Sequence, residues 1–383
     1  MTQPRTFILA GGGTGGHLFP GVALALELQR CEPDARLLFV GSERTLEQTI
    51  LNRHQFERRS LPVEPPREVT RHPWRFITRN WSAWRAARRL IRSEQPCAVI
   101  GLGGYASAPV VWEASRAGVP IILLEQNVIP GRATRWLSRL ASVVCTSFAE
   151  TSARLPRSVT VELTGTPVRR EIVESASSTA DAIASTPHAP RELLILGGSQ
   201  GADSLNDAVV AALHLIGEAR SGWRVVHQTG PRQLDAMRTA HAALSSDALV
   251  EAFFDDLPAR YRTASLVVSR AGATTLAELA CSGLPAVLLP YPHATDDHQR
   301  ANALAHVAHG AAHCVPHRLS TAETSSALAE SLLRLMCDES LRRQMSLAAK
   351  ASAHPLATHA VVNRVLSVAR RGNCDRWRCA ARG

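Results

Sequence analysis

Two glycine-rich stretches place small residues where a polypeptide can bind an anion. GGGTGGH at residues 11–17 follows the apolar run FILA, and GGSQGADSLN at residues 197–206 follows LLIL. Each precedes a segment with helical periodicity, so each is predicted to be a turn between a strand and a helix. Glycine lets a phosphate or sugar approach without a Cβ in the way, and a helix N-terminus presents unpaired amides to an anion. The pattern therefore predicts a phosphate- or sugar-binding turn in each half of the chain.

A third segment, at residues 267–303, combines the turn RAGATT with a carboxylate. A strand is predicted to end at Ser269, and a helix then begins with Glu278 one turn inside it. This arrangement places the amides of residues 273–275 on an anion while the carboxylate faces a ribose. The alternative is that Glu278 only stabilises the helix N-terminus through the helix dipole, by about 0.3 to 1 kcal/mol.

Two other nucleotide sites fit the sequence less well. Gly11, Gly13 and Gly16 satisfy the dinucleotide pattern G-x-G-x-x-G, which also needs an acidic residue about 20 positions further on. Asp34 precedes the second predicted strand and Glu43 lies too far along, so a dehydrogenase is disfavoured. No Lys-Ser or Lys-Thr closes the glycine run as in a P-loop.

Short apolar runs, each followed by an amphipathic segment, position these turns. TFILA, RLLFVG, CAVIGLG, PIILLEQ and SVVCTS fill the first half, and RELLILGG, WRVVHQTG, LVEAFF, SLVVSRAG and PAVLLPY fill the second. This alternation predicts an α/β fold with two parallel sheets, each covered by helices on both faces. A chain of 383 residues with 45% apolar residues is also too long for one typical core.

The predicted domains are residues 1–168 and 169–354. The helix 355–370 is expected to complete the first domain, and the basic tail 371–383 is expected to lack fixed structure. Residues 171–190 are small and polar, so we predict a flexible junction whose N-terminal part still allows a helical turn. The eight cysteines are scattered and are expected to be mainly buried free thiols.

The net charge of +10 favours anionic partners such as phosphates, nucleic acid or an acidic membrane surface. Residues 67–92 hold eight arginines among aromatic and apolar residues. We interpret this segment as a membrane-facing patch; burial of the tryptophans in the core and RNA binding are the alternatives. The patch comprises Trp74, Arg75, Phe76, Ile77, Arg79, Trp81 and Trp84.

The N-terminal sequence does not fit a signal peptide and no apolar run approaches about 18 residues, so a cytoplasmic protein, at most attached to a membrane face, is expected.

The order and spacing of several motifs resemble the peptidoglycan N-acetylglucosamine transferases of glycosyltransferase family 28. The motifs are GGGTGGHLFPG, GLGGYASAP, LEQNVIPGRATRWLS, LTGTPVR, LGGSQGADSLN, HQTG, FFDD and SRAGATTLAELACSGLPAVLLP followed by DHQRANA. The resemblance runs from about residue 6 to residue 365. It implies the GT-B fold, in which two Rossmann-like, doubly wound parallel-sheet domains face a cleft. It also implies inverting transfer of N-acetylglucosamine from UDP-N-acetylglucosamine (UDP-GlcNAc) to the 4-hydroxyl of the N-acetylmuramoyl sugar of lipid I, giving lipid II for peptidoglycan.

The resemblance carries the donor contacts onto Thr14, Gly15, Gly16, Asn127, Arg169, Ser199, Phe254, Ala273, Thr274, Thr275, Leu276, Ala277, Glu278 and Gln299. Ser199 would meet the diphosphate and Arg169 would balance its charge. The family's contact at Phe254 is a main-chain contact to uracil. Glu278 would accept hydrogen bonds from the ribose diol, and Gln299 would bind sugar hydroxyls.

The catalytic residues implied are His17 and Glu278. His17 is the candidate general base for the attacking hydroxyl, since an imidazole titrates near neutrality; a capping or packing histidine is the alternative. The acceptor side is expected to involve Gly103, Gly104, Tyr105, Ser107, Glu125 and Gln126. Two departures from the family pattern concern this side: Leu124 stands where a histidine is common, and residues 61–74 lack the usual glycines.

No metal site and no required cofactor are expected, although a divalent cation could stimulate the reaction. The adjacent Asp255 and Asp256 fall where the family contacts uracil, and the loop with His293, Asp296, Asp297 and His298 is better explained as solvated. The expected partners are UDP-GlcNAc, lipid I and an anionic membrane surface, without nucleic acid. The resemblance places the protein peripherally on the cytoplasmic face of the inner membrane.

The alternative functions are a GT-B transferase acting on another lipid, a UDP-GlcNAc 2-epimerase, and a catalytically silent nucleotide-sugar sensor. The epimerase needs further carboxylates that the sequence does not reveal. Silencing is disfavoured because His17, Asn127, Arg169 and Glu278 are all intact.

Overall fold

The computed structural model describes residues 4–12, 15–65, 73–179, 191–198, 201–244, 248–316 and 320–371. The chain divides into two α/β units. The first unit contains the described residues up to Arg169 together with those from Leu356 onward, and the second unit spans Arg170–Pro355. Each boundary lies one residue after the position expected from the sequence.

The first unit contains a seven-stranded parallel sheet. Its elements are β1 (Thr6–Gly11), α1 (Gly15–Cys31), β2 (Arg36–Gly41), α2 (Thr45–Arg53), β3 (Glu57–Ser60), α3 (Pro73–Glu94), β4 (Ala98–Gly103), α4 (Ala108–Arg116), β5 (Ile121–Glu125), α5 (Arg132–Leu137), β6 (Val143–Thr146) and β7 (Val161–Leu163). The strand order is β3-β2-β1-β4-β5-β6-β7, so the order reverses between β1 and β4. Open parallel sheets bind ligands at such a switch point, and the first glycine turn lies there.

The second unit contains a six-stranded parallel sheet. Its elements are α6 (Arg170–Thr179), β8 (Arg191–Leu196), α7 (Asp203–Ile216), β9 (Trp223–Gln228), α8 (Leu234–Ala243), β10 (Ala248–Glu251), α9 (Leu257–Thr263), β11 (Ala264–Ser269), α10 (Ala273–Ser282), β12 (Ala286–Leu288), α11 (His298–Ala308), β13 (Ala312–Cys314), α12 (Thr321–Cys337) and α13 (Glu339–Ala351). The strand order β10-β9-β8-β11-β12-β13 reverses between β8 and β11, beside the second glycine turn. The predicted fold class, with two doubly wound parallel sheets, is confirmed.

The last helix, α14 (Ala357–Arg371), belongs to the first unit although it follows the second in sequence. Val361, Val362 and Val365 lie in the same buried cluster as Phe7 and Leu9 of β1. The Thr358 hydroxyl donates to the carbonyl oxygen of Val168 at 3.2 Å. The tail beyond residue 371 lies outside the described residues.

Two expectations are corrected by the structure. The first half of the predicted junction is α6, because Ile172 is fully buried and the helix packs against α9 and α10; residues 180–190 lie outside the described part. Cys97 is disulfide-bonded rather than a free thiol. The described free cysteines are Cys31, Cys145, Cys281, Cys314 and Cys337, of which Cys31 and Cys337 are exposed.

A buried polar network joins the strand ends of the second unit. The Asn206 amide donates to the Thr229 carbonyl at 2.9 Å and to the Gln233 side-chain oxygen at 2.7 Å. Asn206 Oδ1 therefore faces Nε2 of His227, at 3.1 Å, and must accept its proton. His227 Nδ1 then accepts from Nε2 of His241 at 3.0 Å. Burial disfavours the charged form of both imidazoles, so each is neutral and carries its proton on Nε2.

We expect this network to make the second unit sensitive to acid. Burial lowers the pKa of His227 to about 3, assisted by His241, and burial and the Arg220 charge lower the pKa of His241 to about 4. The unfolded chain binds protons as the pH falls through about 6.5, whereas the folded chain does not until about 4. Stability is therefore complete above pH 6.5 and falls below it by about 1.4 kcal/mol per pH unit for each histidine, down to about pH 4 for His241 and about pH 3 for His227.

Hydrogen exchange of the β8 and β9 amides at pH 7, 6 and 5 would measure this loss. His241→Gln keeps an N–H donor for His227 but removes one titrating group, so its protection should fall less steeply with pH. His293→Gln changes an exposed histidine of the same unit and should follow the wild type. Equal slopes for all three proteins would contradict the prediction.

Candidate functional site

The His17 ring lies on the glycine loop that follows β4. A Cβ on Gly103 would lie 2.9 Å from Cδ2 and 3.1 Å from Nε2 of His17, and Gly103 has a φ of +104°. A Cβ on Gly104 would lie 2.9 Å from the Gly12 carbonyl oxygen and 3.8 Å from Nδ1 of His17. The imidazole, this loop and the end of β1 are thus in contact, and the missing side chains of both glycines allow it.

A buried carboxylate supports the other side of the first glycine turn. Glu47 of α2 is only 2% exposed and accepts hydrogen bonds from the Ser42 N–H at 3.0 Å and the Ser42 hydroxyl at 2.8 Å. A Cβ on Gly12 would lie 2.9 Å from a Glu47 oxygen, and a Cβ on Gly41 would lie 2.3 Å from one. Sequence reasoning missed Glu47, because its hydrogen-bond partner Ser42 lies in the loop after β2 and belongs to none of the glycine motifs.

The predicted acceptor residues lie at the ends of β4 and β5. Tyr105 and Ser107 form a 3-10 turn, and the Ser107 hydroxyl donates to the Gly104 carbonyl at 2.8 Å. Glu125 is buried and folds its own loop, since one oxygen accepts from the Asn127 N–H at 3.0 Å and from its side-chain amide at 3.2 Å. Its other oxygen accepts from the Gly131 N–H at 2.9 Å.

The amide of Gln126, also buried, donates to the Leu102 carbonyl at 3.5 Å. This contact ties the β5 loop to the end of β4, directly before Gly103. Asn127, a predicted donor contact, is consequently positioned by the buried carboxylate of Glu125.

Arg169 belongs to the first unit, although it was expected to begin the second domain. Its guanidinium lies 5.5 Å from the ring centre of Phe19, a cation–π distance. Phe19 is two residues after His17 on α1, and Gly15 and Gly16 form the first positions of that helix. Thr14, Ser199 and the side chain of Arg75, which were also predicted to take part, lie outside what the structure describes.

Six of the fourteen predicted donor residues, 273–278, lie at the start of α10. Gly272 caps the helix without a side-chain hydrogen bond, and residues 273–278 form its first turns. Glu278 is buried and accepts a hydrogen bond from the Tyr261 hydroxyl at 3.0 Å. This bond orients the carboxylate, and Tyr261 was missed because it lies on a different helix, α9.

A half-buried arginine adds positive charge at the same edge of the second sheet. Arg270 donates to the Leu289 carbonyl at 3.0 Å and to the Ser204 hydroxyl at 2.7 Å, which links the ends of β11 and β12 to the first turn of α7. Burial lowers the pKa of Arg270 to about 10, so the guanidinium stays charged at neutral pH. Beside it, the Gln299 side-chain oxygen accepts from the Tyr291 N–H at 2.9 Å.

The predicted uracil contact, Phe254, is buried at the end of the segment that follows β10. Its N–H donates to the side-chain oxygen of Gln228 at 3.0 Å, and the Arg260 guanidinium lies 5.2 Å from its ring centre. Gln228 is the last residue of β9 and was not singled out from the sequence.

An exposed aromatic face runs along α3. Trp74, Ile77 and Trp81 are 79%, 54% and 68% exposed and follow one another at helical spacings of three and four. Core burial of the tryptophans is therefore excluded for Trp74 and Trp81. Arg79 forms ion pairs with Glu43 at 2.9 Å and Glu64 at 3.1 Å, and Phe76 is partly buried.

The aromatic face continues onto two further helices. Trp84 packs edge-on against Trp112 of α4 at 6.0 Å, and Trp112 stacks on Trp136 of α5 at 5.2 Å. Beside Trp136 lies a cavity of about 660 Å³ whose lining includes Arg132, Arg135, Arg139 and Arg154. Sequence reasoning missed this extension because the three tryptophans are far apart along the chain.

Across the described part of the chain, no helix has both the length and the apolar character needed to cross a membrane. Within those same residues, no group of three or more His, Cys, Asp or Glu side chains is placed to hold a metal ion. The loop with Asp297 and His298 is partly to fully exposed, and Asp297 pairs with Arg300 at 3.6 Å.

Comparison with known proteins gives the same assignment for both units. Residues 7–146 match the glycosyltransferase family 28 N-terminal domain, and residues 192–361 match the corresponding C-terminal domain. A UDP-N-acetylglucosamine--N-acetylmuramyl-(pentapeptide) pyrophosphoryl-undecaprenol N-acetylglucosamine transferase of Syntrophotalea carbinolica is 38% identical over 95% of this chain and 98% of its own length. The transferase of the same name from Thermodesulfovibrio yellowstonii is 33% identical over 95% of this chain and 99% of its own length.

Solved structures agree at the level of the fold. The crystal structure of Acinetobacter baumannii MurG aligns with a TM-score of 0.74 and 28% identity, covering 95% of this chain and all of that one. A Listeria monocytogenes protein described as a putative UDP-N-acetylglucosamine 2-epimerase has a TM-score of 0.68 at 15% identity over 97% of this chain and 98% of its own, which shows a shared fold only. The two matched domains cover most of the sequence, and the chain belongs to glycosyltransferase family 28.

Proposed function

We propose that this enzyme transfers N-acetylglucosamine from UDP-GlcNAc to the 4-hydroxyl of the N-acetylmuramoyl sugar of lipid I. The product, lipid II, is the precursor for peptidoglycan and thus for cell-wall growth, shape and division. The observation that carries the proposal is the similarity, over 95% of the chain, to transferases named for this reaction. Neither another lipid acceptor nor a silent sensor is favoured by those names.

The second unit is proposed to bind the donor. The first-turn amides of α10 and the charge of Arg270 lie at the edge of the sheet where the second glycine turn begins. They supply the electrostatic stabilisation that a leaving diphosphate requires, and Ser199 is expected from the sequence to contribute to it. The carboxylate of Glu278, oriented by Tyr261, is proposed to accept a hydrogen bond from the ribose.

The first unit is proposed to act on the acceptor through His17. The 4-hydroxyl oxygen attacks the anomeric carbon while the bond from that carbon to the UDP oxygen breaks, and His17 takes the hydroxyl proton. Because attack and departure occur on opposite faces, an α-linked donor gives a β-1,4-linked product. The contacts of the imidazole with Gly103 and Gly104 support this role, since they hold the ring in one place.

The surface formed by α3 is proposed to attach the enzyme to the membrane that contains lipid I. Trp74, Ile77 and Trp81 would enter the interface, and exposed arginines of the same helix would meet anionic headgroups. Attachment would be peripheral, on the cytoplasmic face of the inner membrane.

A transfer assay with radiolabelled UDP-GlcNAc and a short-chain lipid I analogue tests the reaction itself. We expect label in the lipid product, with a rate that EDTA lowers by less than about twofold, because fixed amides and Arg270 carry the leaving-group charge. A larger loss that Mg²⁺ restores would show a required divalent ion. Donor binding without any transfer to lipid I would redirect the search to other lipid acceptors.

Displacement of His17 should reduce turnover without affecting donor binding. His17→Ala is expected to lower kcat by about 10² to 10⁴, with KM for UDP-GlcNAc changed by less than about threefold. Gly103→Ala should act in the same direction, because its new methyl group would occupy the place of the imidazole and its φ of +104° disfavours alanine.

Gly118→Ala is the matched control, since Gly118 also has a positive φ, +69°, but a Cβ there meets nothing within 4 Å. Gly118→Ala introduces similar backbone strain but no steric clash with a neighbouring group, so it should retain the wild-type kcat. If His17→Ala turned over at the wild-type rate, the imidazole would have no part in the mechanism.

The exposed face of α3 should be required for membrane binding. Replacing Trp74, Ile77 and Trp81 by serine is expected to weaken binding to vesicles with anionic headgroups at least tenfold, since each side chain loses its interfacial burial. Co-sedimentation with vesicles measures this, and Leu347→Ser, at an equally exposed leucine of the second unit, is the control. Unchanged sedimentation of the triple variant would assign membrane attachment to another surface.

A further inference from the structure

Gln228 contacts two segments of the proposed donor site at once. Its main-chain oxygen accepts a hydrogen bond from the N–H of Gly197, the first residue of the second glycine turn, at 2.9 Å. Its side-chain oxygen accepts from the N–H of Phe254 at 3.0 Å. Only 5% of the residue is exposed, so neither bond competes freely with water.

The chain around Gln228 has little freedom to adjust. The N–H of Thr229 donates to the Glu251 carbonyl at 3.0 Å, and that of Gly230 donates to the Ala252 carbonyl at 3.1 Å. On the other side, a Cβ on Gly197 would lie 2.8 Å from the Gln228 carbonyl oxygen, and a Cβ on Gly201 would lie 2.8 Å from the Thr229 carbonyl oxygen. Residues 228–230 therefore fix the spacing between the glycine turn and the segment that ends at Phe254.

The bond from Phe254 to Gln228 also determines which main-chain group of Phe254 can hydrogen-bond to a nucleobase. Because its N–H is engaged, the carbonyl oxygen, a hydrogen-bond acceptor, is the main-chain group left for recognition. Uracil carries a donor at N3, whereas cytosine carries an acceptor there. An acceptor at Phe254 thus favours uracil and opposes cytosine.

We propose that Gln228 is a positioning residue for uracil selectivity: it holds the Phe254 N–H, presents the Phe254 carbonyl to N3–H of uracil, and sets the distance from the base to the diphosphate turn. The inference rests on the proposed function, because it takes a uridine diphosphate sugar as the donor.

Nucleotide binding to the full chain, measured by calorimetry with UDP and CDP, tests this role without any lipid acceptor. Gln228→Met keeps the side-chain length but has no comparable acceptor, so it should bind UDP about tenfold more weakly, with a smaller change for CDP. The preference for UDP over CDP should fall accordingly. Gln228→Glu retains an acceptor oxygen and should keep UDP affinity within about threefold.

Competition by inorganic pyrophosphate separates base recognition from phosphate binding. It should be unchanged in Gln228→Met, because the main-chain bond to Gly197 remains. Gln228→Asn draws the acceptor back by one methylene and is the second variant if Gln228→Met does not fold; it should lose the same preference.

Two results would overturn the assignment of Gln228. Unchanged UDP and CDP affinities in Gln228→Met would show that the bond to Phe254 does not matter for the base. Equal losses for UDP, CDP and pyrophosphate, with a lowered melting temperature, would show a purely structural role. A wild-type chain that binds no UDP would instead contradict the proposed donor, and the inference with it.

Discussion

At the carboxyl ends of the central strands in both sheets, neighbouring segments touch main chain to main chain. In the first unit a Cβ on Gly11 would lie 2.4 Å from the Gly103 carbonyl oxygen, and in the second the Gly197 position has a similar contact with Gln228. Such approaches are available only to glycine. Within each unit they let the turns lie side by side at the same edge of that unit's sheet. Main-chain amides and carbonyls, rather than side chains, are then exposed at that edge. The placement of His17 and Phe254 depends on this constraint.

Buried polar groups then fix the conformation of the loops around these glycines. Glu47, Glu125 and Glu278 are each nearly inaccessible, and each accepts hydrogen bonds from a neighbouring segment. A buried carboxylate without partners is costly, so each of these contacts strongly favours one arrangement of its loop. The bonded side chains of Asn206 and His227 have the same effect in the second unit. Rigid turns of this kind suit a reaction that needs charge stabilisation to be organised before the substrate arrives.

The sequence predicted those features that depend on near neighbours along the chain. Continuous apolar runs identified the parallel strands, and glycine followed by helical periodicity identified both turns. Gln228, Tyr261 and Arg270 were not predicted, because their hydrogen-bond partners lie on elements far away in sequence. Glu47 was not predicted either, since no local pattern distinguishes it from other polar residues. Residues 171–190 were predicted to be a flexible junction with at most a helical turn in the N-terminal part, because their composition is small and polar. Tertiary burial of Ile172 instead extends a helix to residue 179.

The aromatic stack of Trp84, Trp112 and Trp136 is a surface feature that the sequence also did not predict. Segment composition pointed to α3 as an interfacial helix, but only the fold brings α4 and α5 beside it. The arginines around Trp136 then make one continuous basic and aromatic face out of three separate sequence segments.

The position of α14 bears on how the protein is made. This helix supplies Val361, Val362 and Val365 to a core whose other members were synthesised before the second unit existed. During translation the N-terminal sheet therefore waits, with the apolar surface around β1 and α1 incompletely covered, until the last helix leaves the ribosome. The second unit, which is continuous in sequence, can fold first, and the earliest part of the chain to be synthesised is the last to be finished.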